Sequence, residues 1–175
     1  MFCGSAKLMK EGVEARKREV KVRISRDERK EYVKTGNVFL DKIVNGLSDH
    51  SPFSLVVETS GSADKILEDS GFAIGLALKK LLEAGGKKSA SYIHSDGSGV
   101  CTFSLDLSGE FRGSTIQLIG KPKEFDPNDL FVFFDCLSQG MDSEIKGVVN
   151  LGKRRKNEIE FVSAAFAGSL RQMFG

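Results

Sequence analysis

Apolar and polar positions alternate over residues 19–25 (EVKVRIS), the period of a half-buried strand. A charged turn follows at 26–29, and a short second strand is expected near 30–34. From Val38 the period changes. Phe39, Leu40, Ile43, Val44 and Leu47 recur at helical spacing, with Asn37 placed to cap the helix. Pro52 resets the chain, and residues 53–59 (FSLVVET) read as a third strand. A long helix over 64–83 carries Leu67, Ile74, Leu78, Leu81 and Leu82 on one side and stops at Gly85-Gly86. Residues 1–15 read as a loose lead-in to this unit, and residues 87–98 (KKSASYIHSDGS) as a polar connector behind it.

The order then repeats. Strands are expected over 100–107 (VCTFSLDL), 114–119 (STIQLI) and 144–151 (EIKGVVNL). Helices are expected over 128–139, with Leu130, Phe133, Phe134 and Leu137, and over 156–174, with Ile159, Val162, Ala165, Phe166, Leu170 and Met173. Phe39-Leu40-Asp41 corresponds to Phe133-Phe134-Asp135, Gly46 to Gly140, Glu68 to Glu160 and Leu78 to Leu170. The chain therefore reads as an internal duplication, a lead-in over 1–15 and two ββαβα repeats over 16–93 and 94–175. The expected class is α+β, with two antiparallel-rich sheets that each bury one face under helices.

Composition narrows the functional classes. In 175 residues, 26 Lys+Arg against 24 Asp+Glu leave a formal charge of +2, which disfavours a dedicated nucleic-acid binder. The three cysteines, Cys3, Cys101 and Cys136, are too dispersed for a disulfide framework or a zinc motif; Cys101 and Cys136 read as small core residues. No apolar run is long enough to span a bilayer and no secretory leader is evident, so a cytoplasmic location and no membrane partner are expected.

Each long helix opens on a charged cluster ahead of a glutamate: Asp64-Lys65-Ile66-Leu67-Glu68 in the first repeat, and the run from Lys153 through Arg154, Arg155, Lys156 and Asn157 to Glu160 in the second. A first-turn glutamate suits the positive end of the helix dipole, which is reading enough for Glu68 and Glu160. The basic tetrad 153–156 reads either as solvated surface or as an anion site, where cations and helix N–H groups converge. An RNA contact through Lys153–Lys156 is a third possibility. Of the two histidines, His50 follows the first helix and suits a turn or packing role, and His94 falls in the polar connector as an exposed residue.

Four separated motifs, TGNVFLDKIVNGLSDHSPF, EDSGFAIGLAL, SLDLSGEF and EIEFVSAAFAGSLRQ, stand in the order found in imidazoleglycerol-phosphate dehydratase, and residues 16–174 resemble that family of histidine biosynthesis. The resemblance implies the duplicated fold just derived (a ribosomal S5 domain 2-like unit), an oligomer of trimers or larger, and loss of water from imidazole glycerol phosphate at two manganese ions held by histidines and two glutamates. The glutamates carry over as Glu68 and Glu160, but the histidines do not. Lys42 stands after the Phe-Leu-Asp triplet, Asp64 and Lys65 replace the pair before Glu68, Lys146 replaces the later strand histidine, and Lys156 and Asn157 replace the pair before Glu160. Gly97-Ser98 and Glu110 also depart from the family's substrate-binding residues, while Lys88 keeps a cation near a phosphate-site arginine.

Lysine, with a pKa near about 10.4, has no lone pair to offer a metal at neutral pH. Like charges 4 Å apart repel by roughly 4 kcal/mol at an effective dielectric of 20. No metal or other cofactor is therefore expected, and the lysines are expected to pair with Glu68 and Glu160 or to point into solvent. The implied protein has lost its manganese and its parent dehydration. It binds a phosphorylated small molecule, with Lys88, Lys153, Arg154 and Arg155 as anion contacts, or serves a structural or regulatory role. The alternative is a working lyase in which Lys65, Lys146, Lys156, Glu68 and Glu160 act as general acids and bases.

Overall fold

The hydrophobic pattern becomes twelve elements in a computed structural model that describes residues 4–9, 12–26, 32–60, 65–108, 111–154 and 156–175. In the first half, β1 (Gly4–Met9), β2 (Gly12–Lys17) and β3 (Val20–Arg26) precede α1 (Val38–His50), β4 (Phe53–Thr59) and α2 (Ile66–Glu83). The second half runs β5 (Ser89–Ser95), β6 (Val100–Asp106), β7 (Gly113–Ile119), α3 (Pro127–Met141), β8 (Glu144–Asn150) and α4 (Glu158–Phe174). One sheet is ordered β1-β2-β3-β4 and is antiparallel throughout; the other is ordered β5-β6-β8-β7, with only β7 and β8 parallel.

Four layers result. Helix α2 lies on β1, β2 and β3, and α1 on β4; α4 covers β5 and β6, and α3 covers β7 and β8. The helix layers stack back to back, α2 on α3 and α1 on α4, so the main contacts between repeats pair a helix of one with a helix of the other. All the apolar helix positions read from the sequence are buried, and Phe103, Phe133, Phe134 and Phe166 form a T-shaped and stacked aromatic cluster at the centre.

The correspondence of Gly46 with Gly140 acquires a physical reason here, because each lies where two helices cross. A Cβ on Gly140 would stand 2.1 Å from the carbonyl oxygen of Phe72, and one on Gly46 would stand 2.6 Å from Ser163 Oγ. Asn37 caps α1 as expected, its Oδ1 accepting from Leu40 N at 2.9 Å.

Three expectations change. Residues 4–9 and 12–17, which cover most of the expected lead-in, form two antiparallel strands, although Val13 and Ala15 are their only fully buried side chains, too few to register as a pattern. The connector contains β5, which spans the expected repeat boundary at 93/94. The strand expected near 30–34 falls partly outside the described residues, and 32–37 form none. There Val33 exchanges backbone hydrogen bonds with the Asn45 side chain of α1 (2.8 and 3.1 Å), and Thr35 donates to Asp41 at 2.8 Å, so side chains take the bonds a strand partner would have taken. Its counterpart in the second half, β7, pairs normally.

Candidate functional site

The start of α4 is held by a loop on either side. Gly152 adopts φ 56°, and a Cβ there would lie 2.2 Å from Ser98 O; one on Gly99 would lie 2.5 Å from Asn150 O. These glycines let the β5–β6 turn and the β8–α4 loop touch, with Lys153 N donating to Ser98 O at 2.9 Å. The contact puts Asp96 against Arg154, whose guanidinium donates to the Asp96 carboxylate and lies 4.3 Å over the Phe161 ring.

On the other side the loop before α3 and the start of α4 cap each other. Glu158, fully buried, accepts from Lys123 N and Glu124 N at 2.7 and 2.8 Å. Glu124 in return accepts from Glu158 N and Ile159 N. Two of the N–H groups on which an anion site at this helix end would depend, those of Glu158 and Ile159, are thus already bound to a carboxylate of the chain itself.

Two neighbouring hollows flank Glu160 along the α1–α4 groove. One, of about 290 Å³, is lined by Tyr32, Lys42, Asn45, Asp49, Glu124 and Asn157, among others. The second, of about 190 Å³, contains both histidines of the protein together with Asp96, Arg154 and Phe161. Asn157 and Glu160 belong to both. Glu160 Oε1 lies 3.5 Å from His50 Nε2. His94 faces inward from β5, its ring 5.2 Å from that of Phe161. Burial, and then the charges of His50, Arg154 and Arg171, hold its pKa below the ordinary imidazole value.

The structure scatters the other residues singled out from the sequence. Lys42 joins Asn157 and Glu160 in the groove, yet its Nζ pairs with Glu124 at 4.0 Å and not with Glu160. Lys146 stands on the outer face of its sheet, away from the helices, 3.4 Å from Glu144. Lys65 precedes α2 and Lys156 precedes α4, both exposed. Glu68 belongs to the other helix crossing, near Asp129 and Cys136 of α3, whose pKa values it helps to raise; burial leads in both, and Cys136 is pushed to about 11. Among the described residues no lysine pairs with Glu68 or Glu160. Asp64 and Arg155 lie outside the described residues. Lys153 is exposed beside Arg154, whereas Lys88 sits at the far end of β5, some seven residues or roughly 23 Å along the strand.

Among the described residues no three or more His, Cys, Asp or Glu side chains could hold a metal ion together, and the neighbour of Glu160 is a single imidazole. No described helix is long and apolar enough to cross a membrane.

Sequence reasoning passed over His50 and His94 as site residues. His50 ends a helix where histidine is an ordinary terminal residue. His94 sits in a segment whose serines, lysines and glycines suggest a loop, although the alternation Ala90, Tyr92, His94 points one side of it at α4, the signal that would have revealed it.

No known protein-family profile matches the chain, and no curated protein is similar to it in sequence. Solved structures are similar. Imidazoleglycerol-phosphate dehydratase from Staphylococcus aureus subsp. aureus N315 superposes with a TM-score of 0.74 at 21% identity, over 92% of this chain and 96% of its own. IGPD from Pyrococcus furiosus in complex with (S)-C348 superposes with a TM-score of 0.71 at 17% identity, over 97% of this chain and 93% of its own.

Proposed function

We propose that this chain, whose α+β fold is similar to that of solved imidazoleglycerol-phosphate dehydratases, is a relative of those enzymes that has lost the two-manganese site and the dehydration it supports, and that it binds a phosphorylated small molecule in the α1–α4 groove. The observation that carries this reading is the donor set around Glu160. Lys42, Asn157 and His50 surround it where the resemblance calls for imidazoles from several directions, and Lys42 is turned to Glu124. An ammonium group offers no lone pair and repels a dication, so each lysine at a former ligand position weakens metal binding twice over. The groove keeps the polar character suited to a small charged ligand, with Arg154, the two histidines and Asn157 on its walls. Self-association as a trimer or larger belongs to the same reading and is measured by light scattering.

The lyase reading in which lysines serve as acid and base draws no support from the placement of Lys65, Lys146 and Lys156, which stand exposed and apart. Among the described residues the RNA reading rests on Lys153 and Lys156 once Arg154 is engaged by Asp96.

The test is elemental analysis of the purified protein after incubation with excess manganese, combined with an assay of imidazole glycerol phosphate turnover. We expect substoichiometric metal and no turnover. Two manganese ions per chain, or turnover that depends on manganese, would return the protein to the working dehydratases.

A further inference from the structure

Four of the eight side chains that line the smaller hollow attract negative charge, beside the carboxylates of Asp96 and Glu160. His94 enters from β5, His50 from the end of α1, Arg154 from the β8–α4 loop and Asn157 from the start of α4. His50 Nε2 is shielded from solvent and makes no hydrogen bond, since its approach to Glu160 Oε1 at 3.5 Å lacks the geometry for one. Just behind, Arg171 of α4 donates to the carbonyl of His50 and lies 5.6 Å over Tyr92.

We propose that this hollow seats a dianionic oxyanion group of the phosphate kind, bound between His50 and His94, and that His94 takes up a proton as the anion enters. The inference rests on the reading of the α1–α4 groove as the ligand site and names the group that binds there.

The charges facing His94 come from every neighbouring element. Arg171 and Glu160 belong to α4, Arg154 to the loop before it, His50 to α1, and Asp96 to the turn that follows β5. Its partner on β6 is Cys101, a buried thiol pushed up to about 12 and therefore neutral. Asp96 is engaged by Arg154, and Glu160 lies on the His50 side. The charges acting on His94 are those of His50, Arg154 and Arg171, all of which oppose its protonation. An anion placed among them reverses the sign of that field and restores the proton. Proton uptake and anion binding are then linked, each favouring the other.

Sulfate is the probe of choice, because it stays a dianion from pH 5.5 to 8 and any pH dependence belongs to the protein. Titration of the full chain by calorimetry, with the histidine resonances followed by NMR, should show the His94 midpoint rising as sulfate saturates. Sulfate affinity should fall by up to about tenfold per pH unit above the free-state midpoint of His94. His94→Gln should weaken binding at low pH and flatten the profile, and His50→Gln should weaken binding while leaving a slope. Lys153→Gln with Lys156→Gln should leave the slope in place. Binding that is independent of pH, or unchanged by His94→Gln, overturns the inference and leaves the groove as an anion site. Absence of sulfate binding at every pH overturns the inference and that reading of the groove together.

Discussion

The crossing of α2 and α3 depends on glycines, and Gly75→Ala tests how closely. A Cβ at Gly75 would lie 2.3 Å from Leu137 O, 2.7 Å from Met141 N and 2.9 Å from the carbonyl carbon of Gly140. All three atoms are backbone of α3, so no side chain can rotate away. Restoring ordinary contact, which begins at 3.4 Å, requires the helices to separate by 3.4 less 2.3, or 1.1 Å. Overpacking of this kind destabilises by about 1–3 kcal/mol, and purely backbone obstruction belongs at the upper end. Intrinsic propensity acts the other way, since alanine in a free helix is better than glycine by about 1 kcal/mol. The net expectation is a loss of about 2 kcal/mol, or a Tm lower by roughly 4–8 °C for a chain of this size. Thermal and urea unfolding followed by far-UV circular dichroism measure it, with an unchanged m-value as the sign of an intact two-state transition. The equivalent crossing of α1 and α4 supplies an internal check. Gly46→Ala meets Ser163 Oγ at 2.6 Å and Ser163 Cβ at 2.7 Å, so it too should destabilise, but Ser163→Gly in the same chain should restore most of the loss. A Tm equal to or above that of the parent in Gly75→Ala would refute the packing argument, because only an unobstructed helix lets the propensity term prevail.

The reciprocal cap at the start of α4 makes Glu124 a stability residue: Glu124→Ala should destabilise by about 1–2 kcal/mol in urea unfolding, and Glu124→Gln, which keeps an accepting oxygen, by less. Equal losses in the two variants would shift the explanation from the hydrogen bonds to the charge beside Lys42. Burial raises the Cys101 thiol from 9.0 to about 12 and Cys136 to about 11, which leaves Cys101 with about a thousandth of an exposed thiol's thiolate near neutral pH. In the folded protein Cys101 should therefore react with a disulfide reagent only on the timescale of unfolding, and the half-buried Cys136 more slowly than an exposed thiol; rapid labelling of Cys101 would contradict its placement in the core.

Repeat symmetry was legible at the level of single residues. The pairing of Gly46 with Gly140 and of Glu68 with Glu160 comes from sequence alone, and the structure places each pair at equivalent helix crossings. Helical periodicity spans many turns, so a dozen buried positions reinforce one another and the elements α1 to α4 stand out. The strand pair β1–β2 and strand β5 did not stand out, since an edge strand with a solvated face buries few side chains and its polar composition resembles a loop.

What the sequence determined by itself was the class and the repeated order of elements, because each follows from residue type and spacing along the chain. Tertiary structure alone decided which charges meet. Lys42 turns to Glu124, Arg154 to Asp96 and His50 to Glu160, while Lys146 stands on the far side of a sheet. His50 and His94, 44 positions apart by 94 − 50, share a hollow only because α1 packs on α4 and β5 runs beneath it. Ion pairs are short-range and register-dependent, and a one-residue shift of β8 moves Lys146 to the opposite face. Periodicity tells which side of an element is buried; the fold alone decides what faces it there.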